Sequence, residues 1–505
     1  MSSNHLFAAI RAAIPALDAP LVTHPDGGME TYADALAASG RLANLLVARG
    51  VKPGDRVAVQ VDKSWTALVV YLAAVRAGAV YLPLNTAYTL AEVEYFLSDA
   101  EPTLFLCRPE IEPEARALAT RLGVPCVETL GADGTGSLTR AAADLPEAFE
   151  DVPRGADDLA GILYTSGTTG RAKGAMLSHD NLLSNALTLR DYWRFTRDDV
   201  LIHALPIFHT HGLFVATNVI LLAGARMIFC PKFDARECLS LMPQASSLMG
   251  VPTFYTRLLD QPGLTREATA HVRLFVSGSA PLLAETHRAF RERTGQAILE
   301  RYGMTETGMN TSNPYDGDRR AGTVGFPLPG IDLRITHAET GAVLGTDEIG
   351  MIEVKGPNVF KGYWRMPEKT ASEFHDGFFI TGDLGKVDGT GYVQIVGRGK
   401  DLVITGGFNV YPKEVETEID ALPGVVESAV IGLPHKDFGE GVTAVVVMAK
   451  GATLTEADIH ARLEERLAKF KLPKHVIFVD ELPRNTMGKV QKNVLRDTYK
   501  DLYAG

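Results

Sequence analysis

The run Tyr164-Thr165-Ser166-Gly167-Thr168-Thr169-Gly170-Arg171-Ala172-Lys173-Gly174 has the make-up of a phosphate site. Three glycines let the backbone turn sharply and come close to a ligand. The hydroxyls of Thr165, Ser166, Thr168 and Thr169 offer donors to phosphate oxygens, and Lys173 adds a point charge. A loop rich in N–H groups that follows a strand is a natural anion site. The pattern G-x-x-x-x-G-K-[ST] is not met, because Lys173 precedes Gly174. Composition alone would also allow a flexible linker, so the order of residues elsewhere in the chain has to decide.

The elements that must hold such a loop show as an alternation of β-branched runs and helical segments. Residues 55–61, 104–107, 159–164, 225–230 and 273–277 are strand-like, and 64–77 and 112–122 are helical, with a further helix from Ser178. This alternation predicts α/β layers with much parallel pairing. Past Gly350, short strands at 351–355, 378–381 and 392–396 lie between Gly-rich turns, which predicts a β subdomain. After residues 397–401 the alternation restarts with a helix over 414–422 and strands at 426–431 and 442–448. A long helix over 456–470 and a strand at 475–479 follow. The expected organisation is a large N-terminal domain, residues 1–399, and a small mobile α+β domain, residues 400–505, hinged at Lys400.

Length and composition agree with this. At 505 residues the chain is too long for one ordinary core, and 46% hydrophobic with 22% charged residues fits a globular protein. A net charge of −11 argues against a general nucleic-acid binder. Cys107, Cys126, Cys230 and Cys238 have no C-x-x-C spacing, which suggests reduced thiols and a cytoplasmic protein. The apolar stretch 67–84 is broken by Arg76, Gly78 and Pro83, so it reads as a buried helix entering a strand and not as a membrane span.

Four further segments, in order, settle the reading of the loop. Segment 164–174 resembles the phosphate loop of the adenylate-forming superfamily of acyl-CoA synthetases, luciferases and peptide-synthetase adenylation domains. Tyr302-Gly303-Met304-Thr305-Glu306 resembles its aromatic-G-x-T-E motif, and Thr381-Gly382-Asp383 its T-G-D motif. Gly397-Arg398-Gly399-Lys400-Asp401, then Gly406-Gly407-Phe408, resembles its hinge and the segment after it. Pro483-Arg484-Asn485-Thr486-Met487-Gly488-Lys489 resembles its terminal lysine motif. The resemblance spans residues from about 30 to 495. It implies two half-reactions in a cleft between the domains, with ATP, Mg²⁺ and coenzyme A: a carboxylate attacks the α-phosphate of ATP, then the thiol takes the acyl group.

The resemblance also implies roles. Lys489 would stabilise charge in the first half-reaction, with Glu306 holding Mg²⁺ and Thr305 and Thr165 touching phosphate. Ser166, Gly167, Thr168, Thr169, Gly170 and Lys173 would surround the phosphates. Asp383 would accept from both ribose hydroxyls, beside Arg398. Tyr302 would stack on adenine, with Gly303, Gly278, Ser279 and Ala280 lining that pocket. Lys400 would absorb the rotation, and Gly406 and Gly407 would line the pantetheine channel. Acylation of Lys489 by a protein acyltransferase would remove its charge.

The acyl pocket departs from the common pattern. Where long-chain and aryl members commonly carry Gly before the Tyr, this chain has Arg301. A buried Arg needs a partner, and a second carboxylate on the substrate would serve. His209, His211, Ser277 and Met304 fall near the same pocket by motif position. Together they resemble the malonyl-CoA synthetases and point to a short dicarboxylate, with methylmalonate also possible by size. The alternative is that Arg301 pairs with Glu300 or Glu306 and that His211 only packs. Rivals are a carrier-protein adenylation domain, a monocarboxylate ligase and a nucleotide sensor. An acidic residue to hold an amine is absent from 209–212, Arg301 opposes the second, and retention of Lys489 opposes the third.

Overall fold

A computed structural model describes residues 3–165, 172–405, 408–435, 438–467, 469–485 and 488–503. Ser166 to Gly170 of the phosphate loop, together with Gly406, Gly407 and Lys436, lie outside the described residues.

Two large sheets and a smaller one make up the first four hundred residues. The six-stranded sheet runs in the order Cys126–Thr129, Leu104–Cys107, Arg56–Gln60, Val80–Pro83, Leu159–Thr165, Lys173–Ser178. Its pairs are parallel except the last, which is antiparallel. The nine-stranded sheet has a parallel centre, with Leu299–Met304, Leu274–Ser277, Ser247–Gly250, Val200–His203 and Arg226–Phe229 side by side. Strands buried on both faces carry near-continuous apolar runs, and Val57, Leu104, Leu201, Leu248 and Phe275 are all fully buried. The third sheet is antiparallel and is built on Gly350–Lys355, Phe378–Val387 and Val393–Arg398. The α/β reading and the β subdomain therefore hold.

The apolar stretch 67–84 is the buried helix Trp65–Arg76, capped by Ser64, followed by the strand Val80–Pro83. Arg76 is tolerated in that core because Asp151 accepts from its Nε at 2.6 Å and the Ser39 hydroxyl from its Nη1 at 2.8 Å. No described helix is long and apolar enough to cross a membrane.

Two elements differ from expectation. The phosphate loop does not run from a strand straight to a helix; the strand Lys173–Ser178 intervenes, and the loop is the connection of a hairpin. That strand is also held from its other side, where Trp364 donates its backbone N–H to Gly174 and Lys361 donates to Met176. Only then does Ser178 cap the helix His179–Tyr192, in a reciprocal pair with Asn181. The helix expected over 456–470 ends at Glu464, after which the chain turns so that Leu467, Phe470 and Leu472 pack on a core with Ile459 and Leu463. That core belongs to the fourth sheet, in which Gly439–Met448 pairs antiparallel with Val425–His435 and parallel with His475–Val479.

Candidate active site

The site gathers at the ends of the two large sheets, around the hairpin Leu299–Met304 and Gly308–Ser312. This hairpin is tight: a Cβ on Gly303 would overlap the Gly308 carbonyl, so the backbone leaves room only for glycine. Thr305 sits half-buried in its turn. Glu306 follows and is buried, with Oε1 accepting from Tyr363 Oη at 3.0 Å and from Thr165 Oγ1 at 3.4 Å. Burial raises its pKa, and the nearby Lys173 and Arg398 oppose that rise. Glu306 thus faces the base of the loop connection. One hard carboxylate beside a phosphate loop fits Mg²⁺, which commonly takes one or two carboxylates and completes its shell with phosphates and water. Lys173 is less free than the sequence suggested. Its ammonium lies 3.5 Å from Glu373 Oε1 and 4.0 Å above the Tyr363 ring.

A second cluster holds Asp383. Strand register sets it opposite Arg398, whose Nε donates to Asp383 Oδ1 at 2.7 Å. Tyr302 Oη donates to Asp383 Oδ2 at 2.6 Å. Both oxygens are therefore fixed in place while keeping lone pairs for further donors. Lys489 reaches this cluster from the last hundred residues. Its backbone N–H donates to Asn485 Oδ1 at 2.9 Å, and Gly488 lies in the left-handed region at φ 74°, against Thr253 of the large domain. The Lys489 ammonium is pushed down to about 8, first by burial, then by Arg398; Asp383 pulls it back up. Lys400 is exposed in the turn Gly399–Asp401, close enough to Lys489 to add to that repulsion.

A pH effect follows. Lys489 is the group whose charge is in question, and its protonated fraction falls from about 90% at pH 7 to about 10% at pH 9 for a pKa near 8. The rate constant kcat/KM for adenylation is expected to fall about tenfold across that interval. The bound nucleotide's negative charge raises the ammonium pKa, so the fall in kcat comes at higher pH. Measured pH profiles in which kcat/KM stays flat from pH 7 to 9 would contradict this.

The third cluster surrounds Arg301, which is buried on the same strand. Burial pushes its guanidinium down to about 9, with Tyr255 and Glu300 opposing. Its Nε and Nη2 have no hydrogen-bond partner among the described residues. Glu300 is not the missing partner: as the adjacent residue of the strand it faces the other side, its Oε1 accepts from the Leu282 N–H at 3.2 Å, its Oε2 has no partner among the described residues, and burial raises its carboxyl to about 8. His211 lies beside Arg301. Its Nδ1 is 3.3 Å from Ser279 Oγ, and its Nε2, like Thr210 Oγ1, has no partner among the described residues. Burial and Arg301 hold His209, at about 4, and His211 neutral. His209 Nδ1 accepts the His211 N–H at 3.3 Å, which leaves its proton on Nε2. Ser279 takes φ 71°, an unusual cost for a non-glycine residue, and Ala280 next to it is half-buried. Ser277 belongs elsewhere. It pairs in register with Glu300, and alternation puts it on the face away from Arg301. Met304 is half-buried at the strand end.

The guanidinium lies over Gly278, where a Cβ would fall inside its van der Waals envelope. The Gly278→Ala variant is therefore expected to displace Arg301 without unfolding the chain. KM for the acid should rise at least fivefold with the melting temperature nearly unchanged, and steady-state kinetics with thermal melts check both. Beyond the site, a cavity of about 490 Å³ is lined by Phe233, Arg236, Arg257 and Asp260, among others.

Residues 11–364 match the AMP-binding enzyme family, and residues 414–489 match the AMP-binding enzyme C-terminal domain. ATP-bound MatB from Rhodopseudomonas palustris superposes with a TM-score of 0.97 at 67% identity, covering 100% of both chains. A feruloyl-CoA synthase of Amycolatopsis sp is 37% identical over 92% of this chain and 93% of its own length. The mitochondrial malonate–CoA ligase ACSF3 of Mus musculus is 35% identical over 95% and 92%.

Proposed function

The chain belongs to the AMP-binding enzyme family, and on that premise we propose that it is an ATP-dependent ligase that joins malonate to coenzyme A through malonyl-AMP. Its relatives act on different acids, feruloyl in one case and malonate in another, so membership alone does not select the acid. The observation that carries the choice is the buried Arg301 guanidinium, with two nitrogens that have no partner among the described residues, beside His211, whose Nε2 has none either. A monocarboxylate would leave that charge buried and unpaired, which is costly. The distal carboxylate of malonate would take two parallel N–H donors from Arg301. Methylmalonate adds one methyl, which a pocket discriminates by only about 1–3 kcal/mol.

In the first step a malonate oxygen attacks the α-phosphorus and the bond to pyrophosphate breaks. Lys489, beside Asp383 and Arg398, meets the negative charge that gathers on the carboxylate and α-phosphate oxygens. Asp383 receives the ribose hydroxyls, and Tyr302 and Arg398 keep its two oxygens in place. Mg²⁺ held at Glu306 would supply charge neutralisation on the phosphates, and Tyr363 and Thr165 orient that carboxylate. In the second step the thiol sulfur attacks the acyl carbon, the bond to AMP breaks, and the thiol proton is lost. Rotation about Lys400 would withdraw Lys489 and bring Gly406 and Gly407 to the cleft. Arg236, in the 490 Å³ cavity, is our candidate for the nucleotide end of coenzyme A. Acylation of Lys489 would abolish its charge; since the cleft encloses it in this orientation, a protein acyltransferase would need the rotated form.

Two assays test the steps separately: malonate-dependent exchange of pyrophosphate into ATP without coenzyme A, and formation of malonyl-CoA with AMP when it is added. Exchange without thioester formation would reduce the proposal to adenylation alone. Absence of both would remove malonate.

A further inference from the structure

His211 begins a seven-residue π-helical turn, His211–Thr217, and such turns are rare and need local support. The turn is packed hard: a Cβ on Gly212 would overlap the Pro206 carbonyl. Its support comes from Thr217 at its own end and from His203 outside it. The Gly212 carbonyl accepts from the Thr217 hydroxyl at 3.0 Å and lies 2.9 Å from His203 Nε2, which is also 3.2 Å from Thr217 Oγ1. The other ring nitrogen of His203 meets Lys63, whose Nζ is 2.9 Å from His203 Nδ1 and 2.7 Å from the His203 carbonyl.

The hydrogen-bond roles are forced. The Gly212 carbonyl can only accept, so the ring proton sits on Nε2, and Nδ1 of the neutral ring accepts from Lys63. Burial and Lys63 both favour the neutral ring that this requires. Lys63 sits between the strand Arg56–Gln60 of one large sheet and the helix Trp65–Arg76, while His203 ends the strand Val200–His203 of the other. The contact thus ties one sheet to the other at the turn that carries His211. Lys63 is a costly way to make a purely structural contact. Its ammonium is drawn out of water, pushed down to about 7 by burial, and rests 4.3 Å above the Phe229 ring.

We propose that Lys63 and His203 are positioning residues for the acyl pocket: the Lys63–His203–Gly212 chain fixes the π-helical turn so that His211 presents Nε2 beside Arg301. This rests on the acyl-pocket reading above, and it gives the two residues a role through His211 and no contact of their own with the acid.

The test is steady-state kinetics of His203→Phe, His203→Gln and Lys63→Met, with KM measured separately for the acid and for ATP. His203→Phe keeps the ring volume and loses the donor; KM for the acid should rise at least tenfold while KM for ATP stays within twofold. His203→Gln restores an N–H near the Nε2 position and should recover most of that loss. Lys63→Met, which leaves the His203 ring and its Nε2 donor in place, is the milder probe and should raise KM for the acid about threefold to fivefold. An unchanged acid KM in His203→Phe and Lys63→Met would overturn the proposal. So would acid and ATP KM values that rise together, or a Gln variant no better than Phe. If His203→Phe does not fold, the Gln and Met variants decide by the same criteria. Each KM is taken with whichever acid the unaltered enzyme uses best, so a wrong identification of malonate shows in that choice and not in the ratios.

Discussion

Lys489→Ala is expected to lose malonate-dependent pyrophosphate exchange by about a hundred- to a thousandfold, the scale for removing one preorganised charge from a developing oxyanion. The fold should survive, because the loop does not depend on this side chain. Asn485 and Lys489 exchange hydrogen bonds through the Lys489 N–H, at 2.9 Å, and the Lys489 carbonyl, at 3.0 Å. Arg484 and Val490 close the loop with an isolated bridge. The same variant should still convert supplied malonyl-AMP and coenzyme A to thioester within about tenfold of the unaltered rate, because the proposed rotation would withdraw Lys489 before that step. Exchange kinetics and single-turnover thioesterification check the two halves. Normal exchange would remove Lys489 from the mechanism.

Arg301→Met is expected to move activity and stability in opposite directions. Loss of a charge-assisted contact of about 1.5–3 kcal/mol lowers kcat/KM for malonate roughly ten- to a hundredfold. In the free protein, however, the guanidinium is buried, and its Nε and Nη2 are unpaired among the described residues. Replacing it with an apolar chain of similar length removes that penalty, and the free variant should be more stable by roughly 1–3 kcal/mol. Malonate should stabilise the unaltered protein and not the variant. Thermal melts with and without malonate, beside the kinetics, are the measurement. A variant less stable than the parent would mean that Arg301 is paired within the protein.

How far the sequence carried these conclusions depended on whether the signal was local. Strands such as Leu104–Cys107 and His475–Val479 are apolar runs between turn residues, and their positions follow from composition. The strand Lys173–Ser178 did not stand out, because only one of its edges pairs locally, with Leu159–Thr165, and the other is held by residues 361–364, far along the chain. The premature end of the helix at Glu464 has the same kind of cause: the helical pattern continues, but Leu467 and Phe470 pack better after a turn. At the site, Glu306, Asp383 and Lys489 were legible as motif residues. The partners that orient them, Tyr363 and Tyr302 Oη, were set by tertiary packing. Ser277 was placed near Arg301 by motif position, whereas strand alternation turns it to the face of Glu300. Lys63 and His203 carry no motif, and 140 positions separate them. A lysine just after a strand gives no sign of being buried against a histidine from another sheet.

The central claim is that a buried, unpaired Arg301 makes this enzyme select a second carboxylate. Its most direct test is coenzyme-A-dependent release of AMP at saturating ATP and Mg²⁺, with malonate, methylmalonate, acetate, octanoate and coumarate compared at equal concentration. The account predicts that malonate is used fastest, methylmalonate next, and the three monocarboxylates at least tenfold more slowly. A monocarboxylate used as well as malonate would contradict it and would leave the Arg301 charge to be explained by a partner within the protein.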